Sequence, residues 1–407
     1  MTVTSTAARL TPARFVLAVL ATYTALRAFS TAVLLWITYT QQDPVVFDDG
    51  HPRYFSVTTL WDGRWYERIA TGGYPSELPL DSSGEVQQNE WAFYPLFPLL
   101  VRGLMAVSGW PFAVAGTLLA TALGYGAALV IAGMLRERVG APGALAAVAL
   151  LGAFPAAPVL QVAYTESLAL LLLGTGLWLL IRRRWLLVAV VALLTGLARP
   201  VALPFGLVAL VAVVYRWRQE GTDPPEAAER LAMVAAVAAC GVAGLLWPVL
   251  AWSGTGRVDA YPVTMSAWRG GEAVTPFTPS VEVARLVLGD TWGPWLLGAA
   301  GLLLLVVVLG PWAAGLGLEL RTWSLGYPLY LVAALDPWTS IYRYLLLLFP
   351  LFVVAVGAGW AADARRTSPP GWVLVVRTLV LTAVFLGWQV WWAWELFMFV
   401  PPRDNPP

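Results

Sequence analysis

Leu231–Trp252 reads LAMVAAVAACGVAGLLWPVLAW, 22 residues without one charged side chain. A bilayer core needs roughly 20 apolar residues of helix, so this stretch alone is long enough to cross. The runs 14–39, 111–134, 292–317 and 372–398 repeat the pattern with at most two charges each. Lipid offers no partner to backbone N–H and C=O groups, which restricts spanning forms to helices and closed barrels. Barrel alternation is absent from this chain. The whole chain is 59% hydrophobic and 12% charged, where soluble proteins carry roughly a quarter charged residues. The expected fold class is therefore an all-α polytopic integral membrane protein, a single transmembrane domain over residues 1–407.

Charge sidedness threads the spans. Arginine-rich punctuation falls at RERVGAPG (from Arg136), RRRW (Arg182), RWRQEGTDPPEAAER (Arg216), ELRTW (Glu319) and ADARRTSPPG (Ala362). Placing these and the N-terminus in the cytoplasm obeys the rule that positive charge stays inside. About eleven helices result, near 14–39, 111–134, 143–160, 166–181, 185–198, 201–215, 231–252, 292–317, 322–336, 341–361 and 372–398; the segments around LARPVALPF read as a shallow hairpin or as one helix kinked at Pro200, and the count moves between nine and eleven accordingly. The first helix is expected to be retained, because its apolar run outlasts a signal-peptide core and no small-residue cleavage site follows. An odd count sends the C-terminus, PPRDNPP, outside the plasma membrane.

Two polar loops then face outward, within residues 40–110 and 253–291. The first, Gln41–Trp91, holds nine acids and three arginines, a net of −6, which suits an exported loop. The lone Cys240 lies in an apolar run and permits neither a disulfide framework nor a cysteine metal site. All 25 basic residues are arginine, a bias that suits a GC-rich bacterial genome.

The ionisable residues of the outer face make one candidate site. In LWDGRWYERIATGGY (Leu60–Tyr74), Trp61, Trp65 and Ile69 recur every four residues, a helical stripe suited to lying on the membrane surface. Asp62 opens that helix and Gly72 and Gly73 close it. Asp62 reads either as an N-cap or as a general base toward an acceptor hydroxyl. Glu90, just before WAFYPLFPLLVR, reads as a second carboxylate over the site or as a marker of the membrane boundary. Glu166 in YTES suits a helix N-terminus or a substrate contact. Arg199 and Arg343 suit a phosphate, which arginine grips with paired hydrogen bonds, or else they snorkel to headgroups. Tyr342 and Tyr344 flank Arg343, and Trp61, Trp65, Tyr66 and His51 complete the candidate substrate contacts. No metal motif is present, although Asp48 and Asp49 could hold a cation weakly.

WDGRWYERIATGGYP, AFYPLFPLLVR, YTESLALLLL, LARP and IYRYLLLLFPLF, in that order, resemble the PIG-V mannosyltransferases (GPI mannosyltransferase 2 family), membrane enzymes of the GT-C class. The blocks extend from Leu60 to Phe352. The resemblance implies a GT-C fold in a bacterial, actinobacterial-type member, catalysis on the extracytoplasmic side and Asp62 as the base. It implies an inverting transfer of mannose from polyprenyl-phosphate mannose, with no further cofactor required and a divalent-cation requirement left open. Eukaryotic members add the second mannose of glycosylphosphatidylinositol anchors. Here ARP replaces a more polar block and a bacterium of the kind the arginine bias suggests makes no such anchor, so the implied acceptor is a cell-envelope glycolipid or a glycan. Trp65 stands where many relatives carry histidine, so any role of that imidazole is lost. Membrane lipids are expected partners and nucleic acid is not. The competing reading is a transporter or lipid flippase, which would favour paired halves and charges near the midplane. The sequence displays no such repeat.

Overall fold

Each long apolar run becomes helix. The computed structural model describes residues 11–41, 52–219, 224–271, 275–335, 339–360 and 369–398. Its helices are α1 (Pro12–Thr40), α2 (Tyr54–Val57), α3 (Asp62–Gly72), α4 (Leu96–Ser108), α5 (Phe112–Ala153), α6 (Glu166–Ile181), α7 (Trp185–Gly196), α8 (Ala202–Arg218) and α9 (Ala227–Thr255). They continue as α10 (Ala260–Ala267), α11 (Thr278–Leu288), α12 (Trp292–Leu309), α13 (Gly317–Ala334), α14 (Ile341–Leu345), α15 (Pro350–Ala355) and α16 (Gly371–Phe397). Five of these, α1, α5, α9, α12 and α16, are long and apolar enough to cross a membrane. The chain is a membrane-embedded helical protein. Outward-facing leucines and valines such as Leu302, Leu303, Val375 and Leu379 give α12 and α16 the apolar exterior that lipid requires.

The arginine-rich segments gather at one end. Arg136 lies over the ring of Phe15 near the start of α1, and Arg138 pairs with Glu319 of α13 at 3.0 Å. Glu137 pairs with Arg182, Arg183 donates to Gln219 at 3.1 Å, and Arg216 pairs with Glu229 at 2.9 Å. Ala361–Ser368, most of the fifth segment, falls outside the described residues. From this end α6 runs 16 residues back to Glu166, about 24 Å at 1.5 Å per residue. Glu166 and the loop helix α3 therefore sit at the opposite end from the arginines.

Several expected boundaries move. The helix expected over 143–160 begins as the second half of α5, which breaks at Gly140 (φ 78°) and ends at Ala153; Pro155 and Pro158 cannot continue it. The break expected at ELRTW lies earlier, in a 3-10 turn at Pro311–Leu316. Glu319 and Arg321 stay inside α13 because Arg138 neutralises the first and the carbonyls of Val308 and Leu309 accept from the second. The run expected over 341–361 is interrupted by a 3-10 turn at Leu346–Leu348 ahead of Pro350. The second polar loop contains the helices α10 and α11. The N-terminal ten residues, the pair Asp48 and Asp49, and PPRDNPP lie outside the described residues.

Candidate active site

The site begins with a backbone constraint. Trp61 has φ 57° and ψ −116°, a conformation unfavourable for a bulky side chain. It is held on both sides: the Leu60 carbonyl accepts from the Tyr164 hydroxyl at 3.0 Å, and Trp61 Nε1 donates to the Leu396 carbonyl at the end of α16, also at 3.0 Å. The turn delivers Asp62 as the first residue of α3, and Gly73 (φ 87°) ends that helix as expected.

Asp62 does not cap α3; the position before the helix belongs to Trp61 and no side chain caps it. The carboxylate instead accepts from Arg343 Nη1 at 2.6 Å. The same Nη1 donates to Glu166 Oε1 at 3.1 Å, and Arg199 Nη1 donates to that oxygen at 3.0 Å. Two carboxylates and two guanidiniums thus form a contiguous quartet whose charges cancel. Cancellation is required, since Arg343 and Glu166 are buried and an unpaired ion there would carry a large desolvation cost. Arg343 Nη2 also donates to Ser340 Oγ at 3.0 Å. Neither arginine snorkels: Arg199 stacks its guanidinium 5.0 Å over Tyr344, and Arg343 lies 5.2 Å over Tyr164.

Packing fixes each member. Glu166 opens α6, where the helix dipole favours an acid. Arg199 follows α7, whose last residue, Gly196, approaches α9 so closely that a Cβ would collide with the Ala243 carbonyl oxygen. Arg343 sits on the short α14.

Asp62, Arg199 and Arg343 face a cavity of about 1250 Å³ with a strongly aromatic wall. Trp65 stacks on Phe93 at 5.6 Å, and Trp268 meets both rings edge-on. Helix α10 of the second loop closes this wall through Tyr261, whose hydroxyl lies 3.2 Å from that of Tyr94, and through Thr264, which meets Asn89 at 3.1 Å. Asp62 keeps 22% of its side-chain surface accessible. It is thus both paired and reachable from the cavity. Burial, and then the Asp62 and Glu166 carboxylates, push the Tyr66 phenol well above its ordinary value, so the hydroxyl stays protonated at neutral pH.

The remaining candidates separate. Trp61, Trp65, Tyr66 and Tyr344 line the cavity. Glu90 does not; on its 3-10 turn it faces a separate hollow beside Arg68 and Tyr74. Tyr342 turns away to meet Trp388 of α16 edge-on at 5.5 Å. The α3 stripe packs against protein: Ile69 is fully buried, Trp61 bonds to α16 and Trp65 stacks on Phe93. His51 lies outside the described residues. Sequence reasoning missed Trp268, Arg269, Tyr261, Tyr327, Tyr330 and Ser340, all on the cavity wall. Ser340 stands three residues before Arg343, the one positional hint available.

A scan against protein-family models and a search of curated proteins find no match for this chain.

Proposed function

We propose that this chain is an inverting glycosyltransferase of the GT-C class that moves mannose, or a related hexose, from a polyprenyl-phosphate donor to a glycolipid or glycan acceptor outside the plasma membrane. The observation that carries the reading is the joining of Asp62, Glu166, Arg199 and Arg343 in one quartet, with Asp62, Arg199 and Arg343 on the wall of an aromatic cavity and the buried Glu166 behind it. Aromatic faces suit the apolar C–H face of a sugar, and arginines suit a phosphate. In this reading Asp62 Oδ2 stays with Arg343 while Oδ1 takes the acceptor's hydroxyl proton. The acceptor oxygen bonds to the anomeric carbon as the carbon–oxygen bond to phosphate breaks. Charge developing on the phosphate is received by Arg199 and Arg343, whose side chains line the cavity.

The arginine-rich end lies across α6 from the quartet, and positive charge favours the cytoplasm. That supports an outward-facing site, a cytoplasmic N-terminus and an extracytoplasmic C-terminus. The shorter helices would complete nine to eleven crossings.

Purified protein given polyprenyl-phosphate mannose and an envelope lipid extract should produce a lipid or glycan one hexose heavier, read by mass spectrometry. Solute counterflow in proteoliposomes with no hexose transfer would overturn the proposal in favour of a transporter.

A further inference from the structure

The second half of α5 turns toward the cavity at Gly140 but stops short of it. After that break, residues 141–153 give 13 residues of helix, about 20 Å of rise, roughly two thirds of a hydrocarbon core about 30 Å thick. The chain covers the remaining distance to Glu166 as an irregular segment, 154–165, with one 3-10 turn at Ala157–Gln161. Pro155 through Thr165 are all buried. Irregular backbone at this depth persists only where protein supplies its hydrogen-bond partners.

Those partners come from α1 and α16. Arg27 donates through Nη1 to the Ala157 carbonyl and through Nη2 to the Gly152 carbonyl at 2.7 Å. Gln389 Nε2 donates to the carbonyls of Phe154 at 3.0 Å and Ala153 at 3.3 Å, and Ser30 Oγ orients it by donating to Oε1 at 2.9 Å. The far end of the segment is tied to the site. The Ala163 amide donates to the Thr58 carbonyl at 2.8 Å, Tyr164 holds Leu60, and Thr165 donates to the Ala198 carbonyl at 3.3 Å.

Arg27 is buried and pairs with no carboxylate among the described residues. A guanidinium inside a spanning helix is expensive and needs a reason. The reason here is geometric: a forked cation fits two carbonyls around a helix C-terminus, where the dipole also favours it. We infer that Arg27 is a positioning residue for the candidate site. It fixes the irregular segment whose far end carries Glu166 and, through Tyr164, sets the turn that presents Asp62. Arg27 does not line the cavity. The site half of this inference rests on the transferase reading; the grip on the segment does not.

The experiment places a cysteine at the fully buried Val159 and follows alkylation by N-ethylmaleimide in detergent, with the buried Cys240 as the internal control. Peptide mass spectrometry reads both thiols. With Arg27→Met, Val159→Cys should react about tenfold faster or more while Cys240 stays protected, the mark of local opening. Arg27→Lys, which keeps the charge but not the fork, should fall between. If Arg27→Met also exposes Cys240, Arg27→Lys decides in its place, since it keeps a cation beside the same carbonyls and removes only the fork. Equal protection of Val159→Cys in the folded variants overturns the inference. Polyprenyl-phosphate mannose turnover is measured on the same samples. Turnover lost together with selective opening supports the positioning role, and turnover within about twofold of the parent overturns it. A parent protein that transfers nothing refutes the transferase reading, while the labelling still decides the grip.

Discussion

Asp62 and Arg343 stand 281 residues apart in the chain and meet at 2.6 Å. The pair joins the first loop to α14, the last cavity-lining segment of the chain, and Glu166 and Arg199 extend it into a quartet. Its consequences for activity and stability differ from residue to residue.

Asp62→Asn keeps the shape of the side chain and an oxygen for Arg343, so folding and donor binding should persist. Transfer should fall by about 10² to 10⁴-fold, the contribution of positioned proton transfer. Single-turnover assays on folded protein give the answer, and wild-type turnover would remove Asp62 from the chemistry.

Glu90→Gln should leave turnover within about threefold of the parent, because the carboxylate faces its own hollow outside the cavity. A loss comparable to that of Asp62→Asn would return Glu90 to the site.

Glu166→Gln strips two arginines of a shared counter-ion in a buried setting. The expected loss is roughly 3 to 5 kcal/mol of stability, measured by thermal unfolding in detergent. Arg343→Lys should bind polyprenyl phosphate more weakly than the parent and better than Arg343→Ala, because an ammonium cannot bridge two carboxylates with the same geometry. Equal binding by all three proteins would take phosphate recognition away from Arg343.

Sidedness is open to thiol labelling in a Cys240→Ala background. Ser82→Cys, on the exposed first loop, should react with a membrane-impermeant reagent in intact cells. Arg218→Cys, at the arginine-rich end, should react only after permeabilisation. The opposite pattern would turn the cavity toward the cytoplasm.

Asp62, Glu166, Arg199 and Arg343 were legible as ionisable residues at helix ends on one face of the chain, and all four join one quartet. Direction was less legible than identity. The sequence says that Glu90 adjoins an aromatic segment; it does not say which way a residue on a 3-10 turn points. Charges also misled where they were neutralised out of sequence, as when Glu319 suggested a loop but stays in α13 and pairs with Arg138 at the arginine-rich end. The aromatic wall from the second loop was invisible because Tyr261 and Trp268 acquire meaning only through Tyr94 and Trp65, far away in the chain. Prolines gave a signal that was there to read: Pro155 and Pro158 mark the end of regular helix before the irregular segment.

The span between Asp62 and Arg343 also sets an order of events during biosynthesis. A ribosome adding roughly 5 to 20 residues per second releases the carboxylate on the order of 15 to 60 s before its guanidinium partner exists. Through that interval Asp62 is a bare anion, and water is the environment that tolerates one. Glu166 and Arg199, 33 residues apart, can find each other much sooner. A nascent chain stalled between Arg199 and Arg343 therefore holds three of the four charges and an unclosed cavity, so the candidate site is completed among the last steps of insertion.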